Sequence, residues 1–373
     1  MKNLESPDRL RLSLDRAFQF IKESRNPDGL WSDFLTLAGE SVYWVTGYVG
    51  YALSRGRGPP GKEEEKDQLL AEAGSRILEH QGSNGGWGYG PVVPADADST
   101  LWCLLFLSTL GTPSRESLKK AALFLLKHQS PFDGGFRTYA LPREVGRYMM
   151  LDESVSFEGW ASSQTCVTAA AAQALIGTGS LQGVEQALEF IRRTQTAEGY
   201  WNTYWWTDKL YSTTLCMEAL TAQEPGKRED KTKDASPLNK AQTWIARTQL
   251  PNGGWNAYNS STNDSWPFST ALALRGLMLA HSSNATDNTA AIKNGIEWLL
   301  THQLTDGSWS NNHILRIPHP SMKEPWTQSQ WRKDGKAINA VITDHRRLYT
   351  TATVFTALSD FEQMLSEGKE KRW

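Results

Sequence analysis

The chain has 373 residues, 39 Lys+Arg against 41 Asp+Glu and a net charge of −2. That balance, without any Lys/Arg-rich cluster, argues against nucleic acid as a partner. No run approaches the ~18 apolar residues of a membrane helix, residues 1–9 lack the apolar core of a leader peptide, and Cys103, Cys166 and Cys216 are an odd set of thiols in apolar runs, which fits a reduced, cytoplasmic protein.

In chain order, the pattern alternates between two kinds of helix joined by one kind of turn. Residues 9–23 read as an amphipathic helix, apolar at three- and four-residue spacing, and lead to the turn Pro27-Asp28-Gly29-Leu30-Trp31. Residues 64–80 repeat that helix and lead to Gln81-Gly82-Ser83-Asn84-Gly85-Gly86-Trp87, followed by a nearly uncharged helix at 99–110. Residues 114–128, the turn from Gln129 to Phe136 and an apolar helix at 167–177 form the next unit. Residues 181–193 lead to the turn from Gln195 to Trp201, and residues 237–247 to the turn from Gln249 to Trp255 and a helix at 269–279. Residues 289–302 precede the turn from Gln303 to Trp309.

The closing aromatics are 56, 49, 65, 54 and 54 residues apart, a period that signals a repeat architecture. Helices with one wet face alternating with helices apolar all round predict an all-α (α/α)6 barrel, its inner helices enclosing a central cavity. The expected domain is a single barrel over 1–373, with repeats from about 9 to 362 and lid-like insertions at 137–165 and 310–348, since long loops in compact domains usually carry function. Residues 54–66, 223–236 and the tail after 367 read as unstructured.

A second pattern lies on the inner helices. Thr46, Thr100, Thr168, Thr213, Thr270 and Thr351 are each followed seven residues later by Leu, and two residues before them stand Trp44, Asp98, Cys166, Tyr211, Phe268 and Tyr349. Asp98 thus replaces an aromatic ring in a ring of aromatics. Asp is also a preferred helix N-cap, but none of the other repeats places Asp there. A carboxyl in an apolar cavity has its pKa raised by desolvation, and a second carboxyl, Asp96, presses in the same direction. Such an acid can protonate an isolated alkene, and aromatic faces stabilise the cation without quenching it, by about 2 kcal/mol each when desolvated. Trp44, Tyr211, Phe268 and Tyr349, with Trp205, Trp206 and Trp266 just ahead of two inner helices, are the candidate wall. The insertions add Trp160, Trp331 and several arginines. Arg316, inside the apolar run His313-Ile-Leu-Arg-Ile-Pro-His319, is the candidate for an anionic head group.

The Gln-to-Gly-Trp turns resemble the QW repeats of the squalene–hopene and oxidosqualene cyclase superfamily. Asp96-Ala97-Asp98-Ser99-Thr100 is similar to the Asp-X-Asp-Asp-Thr signature of class II terpene cyclases, with Ser99 in place of the third Asp. Most of that family has two or three helical domains, so the chain is similar to its single-domain members of the merosterolic acid synthase type. The resemblance implies Asp98 as proton donor and Asp96 as its orienting partner. It also implies a lipophilic isoprenoid substrate, first a prenylated aromatic acid and second a free polyprenyl diphosphate, with peripheral membrane contact compatible with such a substrate. No metal or redox cofactor is implied; magnesium would enter only with a diphosphate substrate. The other readings are a non-catalytic barrel, with Asp98 paired to a cation or to backbone amides, and a zinc-dependent prenyltransferase, for which Cys216 has no ligand partners at convincing spacing.

Overall fold

The computed structural model describes residues 7–56, 58, 61–111, 114–222, 236–257, 264–281, 288–333 and 335–366. Six outer helices, α1 (Pro7–Glu23), α3 (Glu63–Glu79), α5 (Arg115–Leu126), α8 (Val184–Thr194), α10 (Pro237–Arg247) and α12 (Thr289–Thr301), alternate with six inner ones. The inner helices are α2 (Tyr43–Arg55), α4 (Ala97–Thr109), α7 (Thr165–Gly177), α9 (Lys209–Ala222), α11 (Pro267–His281) and α13 (Leu348–Ser366). Each inner helix packs on the next, and α13 packs back on α2 to close the ring. A short helix, α6 (Pro142–Gly146), lies in the insertion of the third repeat, 137–165; the sixth repeat carries the other insertion, 310–348.

The two sequence repeats are the two halves of one joint. In every unit the inner-helix Thr hydroxyl accepts the backbone N–H of the turn's closing aromatic, Trp31 to Thr46, Trp87 to Thr100, Phe136 to Thr168, Trp201 to Thr213, Trp255 to Thr270 and Trp309 to Thr351, at 2.7–3.4 Å. Each of the five turn tryptophans donates its indole N–H to an outer-helix carbonyl ten residues back, at 2.7–2.8 Å. The turn glutamines donate twice, to a glycine carbonyl of their own turn and to the start of the next outer helix, as Gln81 does to Gly85 and Ser117 and Gln303 to Gly307 and Ser13. A buried polar group left unpaired is costly, so Trp, Gln and Thr recur where these three bonds are made. Gly85, at φ +93, would bring a Cβ within 2.5 Å of the Lys120 carbonyl, which excludes any side chain there. In the first unit Arg25 takes the glutamine's place and donates to the Gly29 carbonyl.

The inner helices α4, α7 and α11 begin two residues earlier than their apolar runs. For α4 the cap is Asp96, whose side chain accepts the Ser99 N–H. The outer helix α8 begins later than the apolar spacing from residue 181 implies, after Gly183 at φ +76. Ser54 and Arg55 belong to α2, and Lys66, read from sequence as part of an unstructured stretch, is a buried residue of α3 that donates to the Gly56 carbonyl. Residues 223–235 and 367–373 lie outside the described residues.

Three antiparallel hairpins, absent from the helical pattern, cover the end of the barrel where the inner helices start. They pair β1 (Asp33–Thr36) with β2 (Gly39–Ser41), β3 (Trp87–Gly88) with β4 (Ala95–Asp96), and β5 (His313–Ile317) with β6 (Ala340–Thr343). The strands of four and five residues, β1, β5 and β6, do not alternate strictly between apolar and polar, and the others are shorter still, so none leaves that signal in sequence. The third and sixth insertions meet over the barrel. Gly159 and Trp160 donate their N–H groups to the Pro320 carbonyl at 2.7 and 3.1 Å, the Trp160 indole donates to the Pro318 carbonyl, and Lys323 pairs with Glu158 at 2.8 Å.

Candidate active site

Beneath the seam between the insertions lies a cavity of about 100 Å³, walled by Trp44, Tyr89, Tyr139, Trp160 and Trp205, with Asp96, Asp98, Ser99 and Arg316 among its polar groups. The fold places Asp98 in the first turn of α4. Its carboxyl keeps accessible surface toward the cavity while the surrounding protein removes it from bulk water. Asp98 is not the N-cap; that task belongs to Asp96, which accepts the Ser99 N–H at 2.7 Å and the Ser99 hydroxyl at 2.7 Å.

The electrostatics separate the two acids. Desolvation by burial is the largest influence on Asp98, and the negative charge of Asp96 adds to it, so its pKa is pushed up to about 8. Desolvation also raises Asp96, to about 7, but the Ser99 N–H and O–H bonds hold it back because they favour the anion. No ion pair reaches either acid among the described residues, and no cation enters the charge balance of either. The Trp102 indole N–H approaches Asp98 from one helical turn away without completing a hydrogen bond. A carboxyl in this setting carries its proton at neutral pH.

Arg316 stands on β5 at the other polar edge of the cavity. It is 4% exposed, donates Nε to the Tyr204 carbonyl at 2.7 Å and Nη2 to the Thr203 carbonyl, and lies over the Trp331 ring at 5.6 Å. Burial lowers its pKa to about 9, with only Cys166 and Tyr204 opposing. Among the described residues no carboxylate forms an ion pair with it.

The structure divides the expected aromatic wall. Trp44, Trp160 and Trp205 line the cavity. Tyr211, Phe268, Tyr349 and Trp206 do not; they are stacked beneath it as a floor, with Trp206 at 4.0 Å from Tyr211 and 5.4 Å from Phe268, and Tyr349 at 3.8 Å from Tyr48. Rings at equivalent positions on adjacent inner helices converge on the barrel axis, where each covers the next, so only the topmost faces remain open. Trp266 packs against the core outside the cavity. Trp331 reaches the site only through Arg316, with its other side on a separate surface groove lined by His319, Gln328 and Arg332. Of the remaining insertion arginines, Arg346 is engaged by Asn26, Ser32 and Ser24, and Arg347 by Asp306. Tyr89 and Tyr139 were not foreseen because they stand outside both repeats. Among the described residues no cluster of His, Cys, Asp and Glu has the grouping of a metal site, and no helix is long and apolar enough to cross a membrane.

Comparison with known proteins agrees with this arrangement. Residues 8–140 and 42–216 match the prenyltransferase alpha-alpha toroid domain, and residues 163–322 the squalene-hopene cyclase C-terminal domain. The type II terpene cyclase MstE from Scytonema is similar in structure, with 32% identity, a TM-score of 0.82, and coverage of 96% of this chain and 99% of that one. A variant of MstE has been solved in complex with geranylgeranyl dihydroxybenzoate as substrate, also at 32% identity, with a TM-score of 0.83 and coverage of 96% and 98%. Drimenyl diphosphate synthase from Streptomyces showdoensis is 24% identical over 85% of this chain and 53% of its own length, so the chain spans about half of that relative. Human lanosterol synthase is 27% identical over 57% of this chain and 31% of its own. The fold and site define a class II terpenoid cyclase barrel. The chain belongs to the type II terpene cyclases, a family of enzymes, and matches its single-barrel form over nearly the whole length.

Proposed function

We propose that the chain cyclises a linear isoprenoid carried on an aromatic acid, beginning with proton transfer from Asp98. The observation that supports this reading is a neutral carboxyl, free of any cation partner, in an aromatic cavity whose other polar edge is a buried arginine without a carboxylate. In the first step the Asp98 O–H bond breaks and its electrons remain on the carboxylate. The π electrons of the distal alkene form the new C–H bond, and the positive charge appears on the tertiary carbon. Neighbouring alkenes then attack in turn while the faces of Trp44, Trp160 and Trp205 stabilise the travelling charge. Loss of a proton at the end of the cascade balances the one Asp98 supplied. Arg316 would hold the head-group carboxylate as a charge-assisted pair, adding an anionic partner to the two backbone carbonyls and the Trp331 ring that it now meets. The proton transfer calls on no metal or redox cofactor; magnesium would accompany only a diphosphate head group.

Ligand pockets usually occupy roughly 300–1,000 Å³, more than the present 100 Å³, so binding requires the seam between the insertions to part. The mouth supports docking on a lipid surface. Val92 and Met150, next in sequence to the lining residues Val93 and Met149, and Leu141 of the same insertion as Met149 are 65%, 76% and 67% exposed, and Arg143 and Arg147 are exposed basic residues of that insertion. Co-sedimentation with anionic vesicles should be lost in a Leu141→Asp, Met150→Asp double variant; equal binding by that variant would remove the rim from membrane contact.

The decisive assay incubates the protein with geranylgeranyl dihydroxybenzoate and, separately, with farnesyl and geranylgeranyl diphosphate. Cyclic product from the aromatic acid and none from Asp98→Asn is the expected result. Product from the diphosphates alone would select the second substrate class, and turnover by Asp98→Asn equal to wild type would end the proposed mechanism.

A further inference from the structure

Ser99 stands where the signature of this family has an acid, and its two donor groups are both spent on one neighbour. Its backbone N–H reaches one oxygen of Asp96 and its hydroxyl the other, each at 2.7 Å. In an ordinary capping box the side chain three residues into the helix accepts from the cap's own N–H. Here it donates to the cap's carboxylate instead, a bond that a serine can make and a third carboxylate cannot. Ser99 and Asp96 are both 2% exposed, so these bonds are made away from bulk solvent.

We infer that Ser99 is a positioning residue: by donating to both oxygens of Asp96 it fixes that carboxylate as the acceptor of the pair and leaves the transferable proton on Asp98. The inference rests on Asp98 being the acid. It needs no substrate contact by Ser99, and it assigns the missing third acid a replacement that acts through Asp96. Every hydrogen bond donated to Asp96 favours its anion, and that anion, beside Asp98, makes loss of the Asp98 proton harder. Other groups facing the pair do not alter this order: Arg316, at the opposite edge of the cavity, does not enter the charge balance of Asp98. Cys103 on α4, Tyr89 after β3, Tyr139 in the third insertion, Cys166 on α7, Tyr211 on α9 and Tyr349 on α13 are all pushed upward by burial and stay neutral through the working range.

The test is kcat and KM as functions of pH for wild type, Ser99→Ala and Ser99→Thr, with Asp98→Asn as the blank. Without the hydroxyl, Asp96 competes for the proton and Asp98 gives it up at lower pH. The Ala variant should therefore lose little kcat near pH 6 and ~10-fold or more near pH 8, with KM within about twofold of wild type. Thr, which keeps the hydroxyl, should restore kcat to within about threefold. A purely structural cap would give a deficit independent of pH, and that result, or a wild-type profile in Ser99→Ala, overturns the inference. If Ser99→Ala does not fold, Ser99→Cys keeps the size with a weak donor and must show the same pH-dependent deficit. Wild-type turnover by Asp98→Asn would sink the acid assignment itself, whereas a dead Asp98→Asn with an unaltered Ser99→Ala sinks only the role of Ser99.

Discussion

The two ends of the barrel bury carboxylates in opposite company. At the far end Glu218 on α9 meets Arg275 on α11 at 2.5 Å and Arg55 on α2 at 3.4 Å, and Arg55 also holds Asp360 on α13 at 3.2 Å. The Arg55–Glu218 pair joins opposite inner helices and the other two join neighbours in the ring. At the near end no cation among the described residues pairs with Asp98, whose company is Asp96 and a largely aromatic wall. Burial is common to both, so burial alone does not make an acid catalyst. A buried carboxyl paired with arginines has its charge matched across helices and serves cohesion; one without such partners is pushed toward its neutral form and can deliver a proton. The same helical frame thus supports a structural charge at one end and a reactive neutral group at the other.

The largest expected effect is Asp98→Asn, which should lower turnover at least ~10³-fold while leaving the circular dichroism spectrum unchanged, since no hydrogen bond of the fold depends on that carboxyl. The same substitution should stabilise the protein. A folded-state pKa of about 8, against the ordinary carboxyl value of 3.8, means that the folded state holds a proton the unfolded state has lost. Stability contributed by this group is fully present below the unfolded pKa and declines as pH rises toward 8. The Tm gain of Asp98→Asn should therefore be near zero at pH 4 and grow to pH 8, and a Tm that falls at pH 8 would contradict the environment described. Glu218→Gln should do the reverse, leaving Arg275 buried beside no anion and costing roughly 3–5 kcal/mol in denaturant unfolding. Loss of under 1 kcal/mol would erase the contrast between the two ends.

Smaller effects sharpen the near end. Arg316→Ala should raise KM about tenfold or more for an aromatic acid and far less for its methyl ester; an unchanged ratio removes Arg316 from head-group binding. Smallest is the joint between turn and helix. Thr270→Val leaves the Trp255 N–H without its 2.9 Å partner and should cost about 1–3 kcal/mol in unfolding free energy, with KM unaltered.

Much of the molecule was legible in the linear order. The turn tryptophans, glutamines and inner threonines each make bonds to residues at nearly constant separation, so their need for one another appears as a period. Asp98 was legible by the same route, as the member of the series that breaks the rule. Trp205 and Trp206 show where the reading stops. They are neighbours in an extended segment and face opposite ways, Trp205 into the cavity and Trp206 into the stacked floor. Which of them is open depends on Leu315 of β5, bridged to Trp206 from more than a hundred residues away. Tyr211, Phe268 and Tyr349 share a repeat position with Trp44, yet they end beneath the cavity because rings meeting on one axis shield each other.

Sequence alone determined the helical alternation, the six-unit barrel, the turn joints and the identity of the odd carboxyl, because each is set by local spacing or by a repeat that supplies its own comparison. Tertiary structure decided the rest: which aromatic faces stay open, that Arg316 meets the cavity without a carboxylate, and that Ser99 serves Asp96 and not Asp98. Those outcomes depend on segments far apart in the chain being folded against one another, and burial, charge company and hydrogen-bond direction exist only once they are.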